Sequence, residues 1–89
     1  MHDVLINSNA TIGQNSIINS MSLLEHDCVI GDHTHVSTGT LINGGAMIGD
    51  RSFIGSGVVI KEGVKIGNDV IIGSGCVIKC DIENGSKII

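Results

Sequence analysis

Three of the four histidines in this chain fall in one segment, Asn19 to Ser37, which reads NSMSLLEHDCVIGDHTHVS. Glu25 and Asp27 flank His26 there. An imidazole beside a carboxylate is a candidate general base, because the acid fixes the tautomer and raises the ring's basicity. For His33, ordinary solvated decoration is an equal reading. A zinc site would need three converging histidines. No histidine follows His35 to supply a later ligand, so no metal is expected. Cys28, Cys76 and Cys80 make no disulfide framework and read as reduced, structural thiols.

The elements that must position these groups follow from a repeat of six. Ile6, Ile12, Ile18, Leu24, Ile30, Val36, Ile42, Ile48, Ile54, Ile60, Ile66, Ile72 and Ile78 form an unbroken aliphatic series. That spacing is not the helical period of 3.6. Four residues after each member sits a small or β-branched residue, from Ala10 and Ser16 through Cys76 and Ile82. Three residues after each comes a corner, where ten of thirteen positions are Gly, Asn or Asp, the types that tolerate left-handed backbone. Met21, His33 and Arg51 are the exceptions. Such hexapeptides predict an all-β fold, a parallel β-helix in which three units close a triangular coil of 18 residues. Side-chain alternation turns the aliphatic residue and the one two before it inward. The β-helix is expected over residues 1–82, with 83–89 as a C-terminal exit segment.

Composition excludes several classes. The chain of 89 residues makes one small domain whose open ends predict oligomerisation. A formal charge of −4 and a pI near 5.3 argue against nucleic acid or anionic membrane as partner. No apolar run reaches the length of a membrane span, and the N-terminus lacks a basic region followed by a hydrophobic one. A cytoplasmic protein is expected.

The run Glu25-His26-Asp27-Cys28-Val29-Ile30-Gly31, with His35-Val36-Ser37 nine residues beyond His26, adds a narrower signal. Gly44, Ile48-Gly49, Ile54-Gly55 and Ile72-Gly73-Ser74-Gly75 extend it over nearly the whole chain. Here the sequence resembles the hexapeptide acyltransferases, and within them the sialic acid O-acetyltransferase and UDP-amino-sugar N-acetyltransferase type. The resemblance implies a left-handed coil and an acetyl-CoA-dependent acetyltransferase acting on a sugar hydroxyl or amine. It implies His26 as general base with Asp27 raising its basicity. His35, Gly44, Ser56, Gly73 and Ser74 would meet acetyl-CoA, with Asn19 and Glu25 near the active site. Such relatives usually carry an N-terminal domain that binds the nucleotide sugar. The sequence given starts directly at the repeat, so that domain is expected to be missing and the acceptor pocket incomplete.

Counting modulo 18 places His26 and Gly44 in one stack, and puts a Gly44 backbone N–H forward as oxyanion donor. Asn19, Gly55 and Gly73 share a column near the corner that carries His35, a wall small enough for the pantetheine arm. His26 and His35 differ by half a coil, on the order of 15 Å. They can serve one site only across a subunit boundary, which predicts a homotrimer about an axis parallel to the prism. Lys61 and Lys79 also stack, and read first as a solvated pair and second as a contact for CoA phosphates. Two rivals are a β-helical zinc enzyme, which lacks the later histidine, and a non-catalytic scaffold subunit.

Overall fold

The computed structural model describes residues 4–89. Each hexapeptide forms a two-residue strand and a tight turn. In chain order the strands are β1 (Leu5–Ile6), β2 (Thr11–Ile12), β3 (Ile17–Ile18), β4 (Leu23–Leu24), β5 (Val29–Ile30), β6 (His35–Val36) and β7 (Leu41–Ile42). They continue as β8 (Met47–Ile48), β9 (Phe53–Ile54), β10 (Val59–Ile60), β11 (Lys65–Ile66), β12 (Ile71–Ile72), β13 (Val77–Ile78) and β14 (Lys87–Ile88). Consecutive strands never pair. Instead β1-β4-β7-β10-β13 make the first face, β2-β5-β8-β11 the second, and β3-β6-β9-β12-β14 the third. All pairs are parallel, and from β1 to β13 partners lie 18 residues apart, as in Leu24 with Ile42 and Ile42 with Ile60. The result is a left-handed parallel β-helix. Among the described residues no helix is long and apolar enough to cross a membrane.

The inward columns are those the repeat dictates. Ile18, Leu24, Ile30, Val36, Ile42, Ile48, Ile54, Ile60, Ile66, Ile72 and Ile78 are buried, while Ile6 at the open end is 40% exposed. Each fully buried aliphatic side chain contributes about 1.5–3 kcal/mol. Between them lies a column of small residues, several of them hydroxylic. At the corner joining the second and third faces their hydroxyls run as a ladder. Thr34 Oγ1 donates to Gly49 O at 2.6 Å and accepts the Ser52 N–H at 3.2 Å. Ser52 Oγ donates to Gly67 O at 2.9 Å and accepts the Val70 N–H at 3.1 Å. Polar groups can therefore sit in a thin aliphatic core without losing their partners.

Every regular corner takes a left-handed residue, including the three whose types do not favour it: Met21 (φ 62°), His33 (φ 57°) and Arg51 (φ 55°). The coil spacing imposes the turn, at a local cost of about 1–2 kcal/mol each.

Two expectations change at the C-terminal end. Residues 83–89 are not an exit segment: Lys87–Ile88 forms β14 on β12, with Ile88 opposite Ile72. Ile82 does not occupy the small-residue column either, since it bridges Ile66. Both partners lie 16 residues apart instead of 18. The corner after Ile78 is shorter by two, and Asp81 Oδ1 closes it by accepting the Lys65 N–H at 2.9 Å. Keeping Ile82 and Ile88 packed against the core outweighs keeping the count. The left-handed turn then falls on Gly85 (φ 76°), and Asp81 has none.

Candidate active site

Two groups of the expected site residues lie on different sides of the prism. The first occupies the corner between the first and second faces. After β4 the chain turns through Glu25, His26 and Asp27, with Asp27 at φ 63°. One coil on, the same corner is Asn43-Gly44-Gly45, and the next is Lys61-Glu62-Gly63. His26 Nδ1 lies 3.2 Å from Asp27 Oδ2, and both side chains are well exposed. With the carboxylate accepting, Nδ1 carries the proton and Nε2 keeps its lone pair. A Cβ on Gly44 would stand 3.1 Å from His26 Cε1 and 3.3 Å from Nε2. The imidazole thus lies over the Gly44 backbone, as the stacking count predicts.

The corner N–H groups differ from column to column. At the corner between the second and third faces, the equivalent N–H groups of Asp32, Asp50 and Asn68 are each taken by a side-chain oxygen of the next coil, at 2.7–2.8 Å. Among the described residues the N–H groups of His26, Gly44 and Glu62, which share a column, donate to no group, and Gly44 is set apart by the imidazole beside it. A free donor beside a basic ring is the arrangement an oxyanion needs. Around it opens a groove of about 370 Å³ lined by Glu25, His26, Asn43, Gly44, Lys61 and Glu62. Asn7 Nδ2 donates to Glu25 Oε1 at 2.9 Å and holds that carboxylate at the rim.

The second group lies on the third face and the corner that follows it. His35 is in β6, not at a corner, and its ring stacks on Phe53 with centroids 5.2 Å apart and planes tilted 31°. Asn19 sits beside His35, with Nδ2 2.9 Å from His35 Nε2, and so belongs with that histidine and not with His26 of the same chain. Ser56, Gly73 and Ser74 lie at the corner after the third face, where the Gly75 N–H donates to Ser56 O at 2.9 Å. Packing between coils also bears on glycine in this column. A Cβ on Gly55 would stand 2.6 Å from Ser74 N, inside the next coil, so coil packing alone demands glycine there. The open surface is instead at Gly39, Gly57 and Gly75, where a Cβ would meet nothing within 4 Å.

Counting by type misses Asn7 and Glu62. The signal for both was present, since Asn7 precedes Glu25, and Glu62 follows Gly44, by one coil. Burial holds the Cys28 thiol above its ordinary pKa. Cys28 sits under the corner as a core residue, its side chain out of the groove.

Known proteins agree with this architecture. The model of the bacterial transferase hexapeptide (six repeats) family matches residues 9–44 and again 45–80. The structure superposes on PerB from Caulobacter crescentus, solved in complex with CoA and GDP-perosamine, with a TM-score of 0.90 at 37% identity. That match covers 91% of this chain and 39% of PerB. The acetyltransferase domain of PglB from Neisseria gonorrhoeae, solved with acetyl coenzyme A, gives 0.79 at 29% identity, over 96% of this chain and 50% of that one. Serine acetyltransferase isoform 3 from Entamoeba histolytica, in complex with cysteine, gives 0.87 at 23% identity, over 96% and 34%, a likeness of fold. The chain thus spans half or less of each of these proteins. No curated protein sequence matches it.

Proposed function

The chain belongs to the bacterial transferase hexapeptide family, and on that premise we propose that it is an acetyl-CoA-dependent acetyltransferase domain acting on a hydroxyl or amine of a nucleotide-linked sugar. The observation that carries this reading is the pairing of the His26–Asp27 dyad with an unused Gly44 N–H on one groove. Two of the similar structures, PerB and the PglB domain, hold CoA or acetyl coenzyme A, which supports the same co-substrate here.

The acceptor nucleophile gives a proton to His26 Nε2 as it attacks the thioester carbonyl. Negative charge then grows on the carbonyl oxygen, and the Gly44 N–H stabilises it. The tetrahedral intermediate collapses with cleavage of the C–S bond, and the thiolate leaves protonated as CoA. The transfer is direct, and no cysteine is needed as an acyl carrier.

His35, Asn19, Ser56, Gly73 and Ser74 cannot join His26 in the same chain, because the first face separates the two corners. In this reading a neighbouring copy supplies them, and the enzyme is a cytoplasmic homotrimer with three sites between protomers. Outward apolar columns support such packing: Leu5 and Val77 at either end of the first face, Ile17, Phe53 and Ile71 on the third, each between 42% and 58% exposed.

The test is release of CoA from acetyl-CoA in the presence of amino- and hydroxy-sugar nucleotides, with and without His26→Ala. Acetyl-CoA binding in both proteins with turnover lost in the variant supports the enzyme. Absence of binding in both supports a scaffold subunit instead.

A further inference from the structure

Most of the side chains lining the groove over Gly44 offer hydrogen-bond acceptors. Glu25 has one carboxylate oxygen held by Asn7 and one left over. Asn43 donates its amide to Ile60 O at 2.9 Å, which leaves its side-chain oxygen as an acceptor. His26 presents the Nε2 lone pair. Glu62 is exposed and, among the described residues, makes neither a hydrogen bond nor an ion pair. Lys61 is the one side chain of the lining that can only donate.

The register makes this placement specific. His26, Gly44 and Glu62 follow one another at intervals of one coil on the same corner. An acceptor atom over Gly44 therefore has the imidazole on one side and the Glu62 carboxylate on the other. The two flanking backbones are about 10 Å apart along the prism. A hydroxyl brings one donor and no charge to that position. A primary ammonium brings three donors and a positive charge, which suits a lone pair, two carboxylates and an amide oxygen.

We infer that Glu62 is the residue by which this groove selects a protonated primary amine over a hydroxyl as acceptor. The inference rests on the acetyltransferase reading, in that it takes this groove as the acceptor's seat. The ammonium R–NH3+ reacts with CH3CO–S–CoA to give R–NH–COCH3, HS–CoA and one proton. A C–N bond forms and the C–S bond breaks. Of the two protons nitrogen loses, one leaves through His26 and the other ends on sulfur. No oxidant or reductant takes part.

The experiment titrates the whole chain at neutral pH with two methyl glycosides, one bearing a primary amine where the other bears a hydroxyl. Binding is read by NMR from the His26 imidazole. The wild type should bind the amine about tenfold more tightly than the hydroxyl. Glu62→Gln should erase that preference, and Glu62→Asp should keep most of it. Equal binding of the two glycosides, binding of neither, or a preference that survives Glu62→Gln overturns the inference. Glu62 is exposed at a corner, so neither change strains the core, and an unshifted His26 resonance in the free variants checks this. A parallel CoA-release assay keeps the two readings apart. A preference for the amine without any acetyl transfer to it sinks the acetyltransferase reading and leaves the selection by Glu62 standing.

Discussion

The imidazole of His26 and Gly44 face one another across one coil, close enough that a methyl group on Gly44 would press on the ring at 3.1 Å. Gly44 is not in the left-handed region, so its own backbone would accept a side chain. Glycine here serves the ring above it. Gly44→Ala should leave the melting temperature within a few degrees of wild type and lower kcat, because the ring is displaced from the acceptor. Gly44→Val should abolish turnover while acetyl-CoA still binds. Thermal unfolding beside steady-state kinetics distinguishes this from simple misfolding.

The dyad should behave as base and modulator. His26→Ala is expected to lower kcat about 10²–10⁴-fold with little change in KM for acetyl-CoA. Asp27→Asn keeps a side chain tolerant of φ 63° and removes only the charge. Its loss of kcat should be smaller than that of His26→Ala, with KM for acetyl-CoA again little changed. A kcat unchanged by Asp27→Asn would remove Asp27 from the mechanism.

The apolar column on the third face should govern assembly. Phe53→Asp or Ile71→Asp puts a charge on a surface that is 44% or 42% exposed in the single chain. Light scattering should show trimer becoming monomer. Acetyl-CoA binding should be lost along with it, although His26 and Gly44 are untouched. A monomeric wild type at working concentrations would defeat the shared-site reading outright.

Ser52 is the sharpest test of the buried ladder. Ser52→Ala leaves the Val70 N–H and the Gly67 carbonyl without a partner. The cost should be about 1–3 kcal/mol in urea unfolding. Ser52→Thr keeps the hydroxyl and should recover much of that loss.

Cys28 and Cys80 should separate cleanly with a thiol reagent. Cys80 is exposed and labels in the native state, whereas Cys28 is buried and labels only on unfolding. Burial raises the Cys28 pKa above 9.0 in the folded chain. Below the unfolded pKa both states are protonated, and stability is unaffected. As pH climbs past about 9 the unfolded thiol ionises first, so the unfolded state binds fewer protons and stability falls. The slope is bounded at about 1.4 kcal/mol per pH unit. Cys28→Ser should change this alkaline slope.

The sequence alone determined the three faces, the inward columns, the corner backbone and the stack of His26 on Gly44. A fixed period of six leaves each residue one column and one orientation, so counting is enough. Counting failed where the period itself changed, after Ile78, because packing Ile82 and Ile88 against the core mattered more than turn length. Only the tertiary structure decided what side chains do once their column is known. It tied Asn19 to His35, tethered Glu25 with Asn7, and left the N–H groups of the Gly44 column free while those of the Asp32, Asp50 and Asn68 column are occupied. Those outcomes depend on contacts between coils a full turn apart, where rotamers and hydrogen-bond partners compete, and no linear spacing encodes that competition.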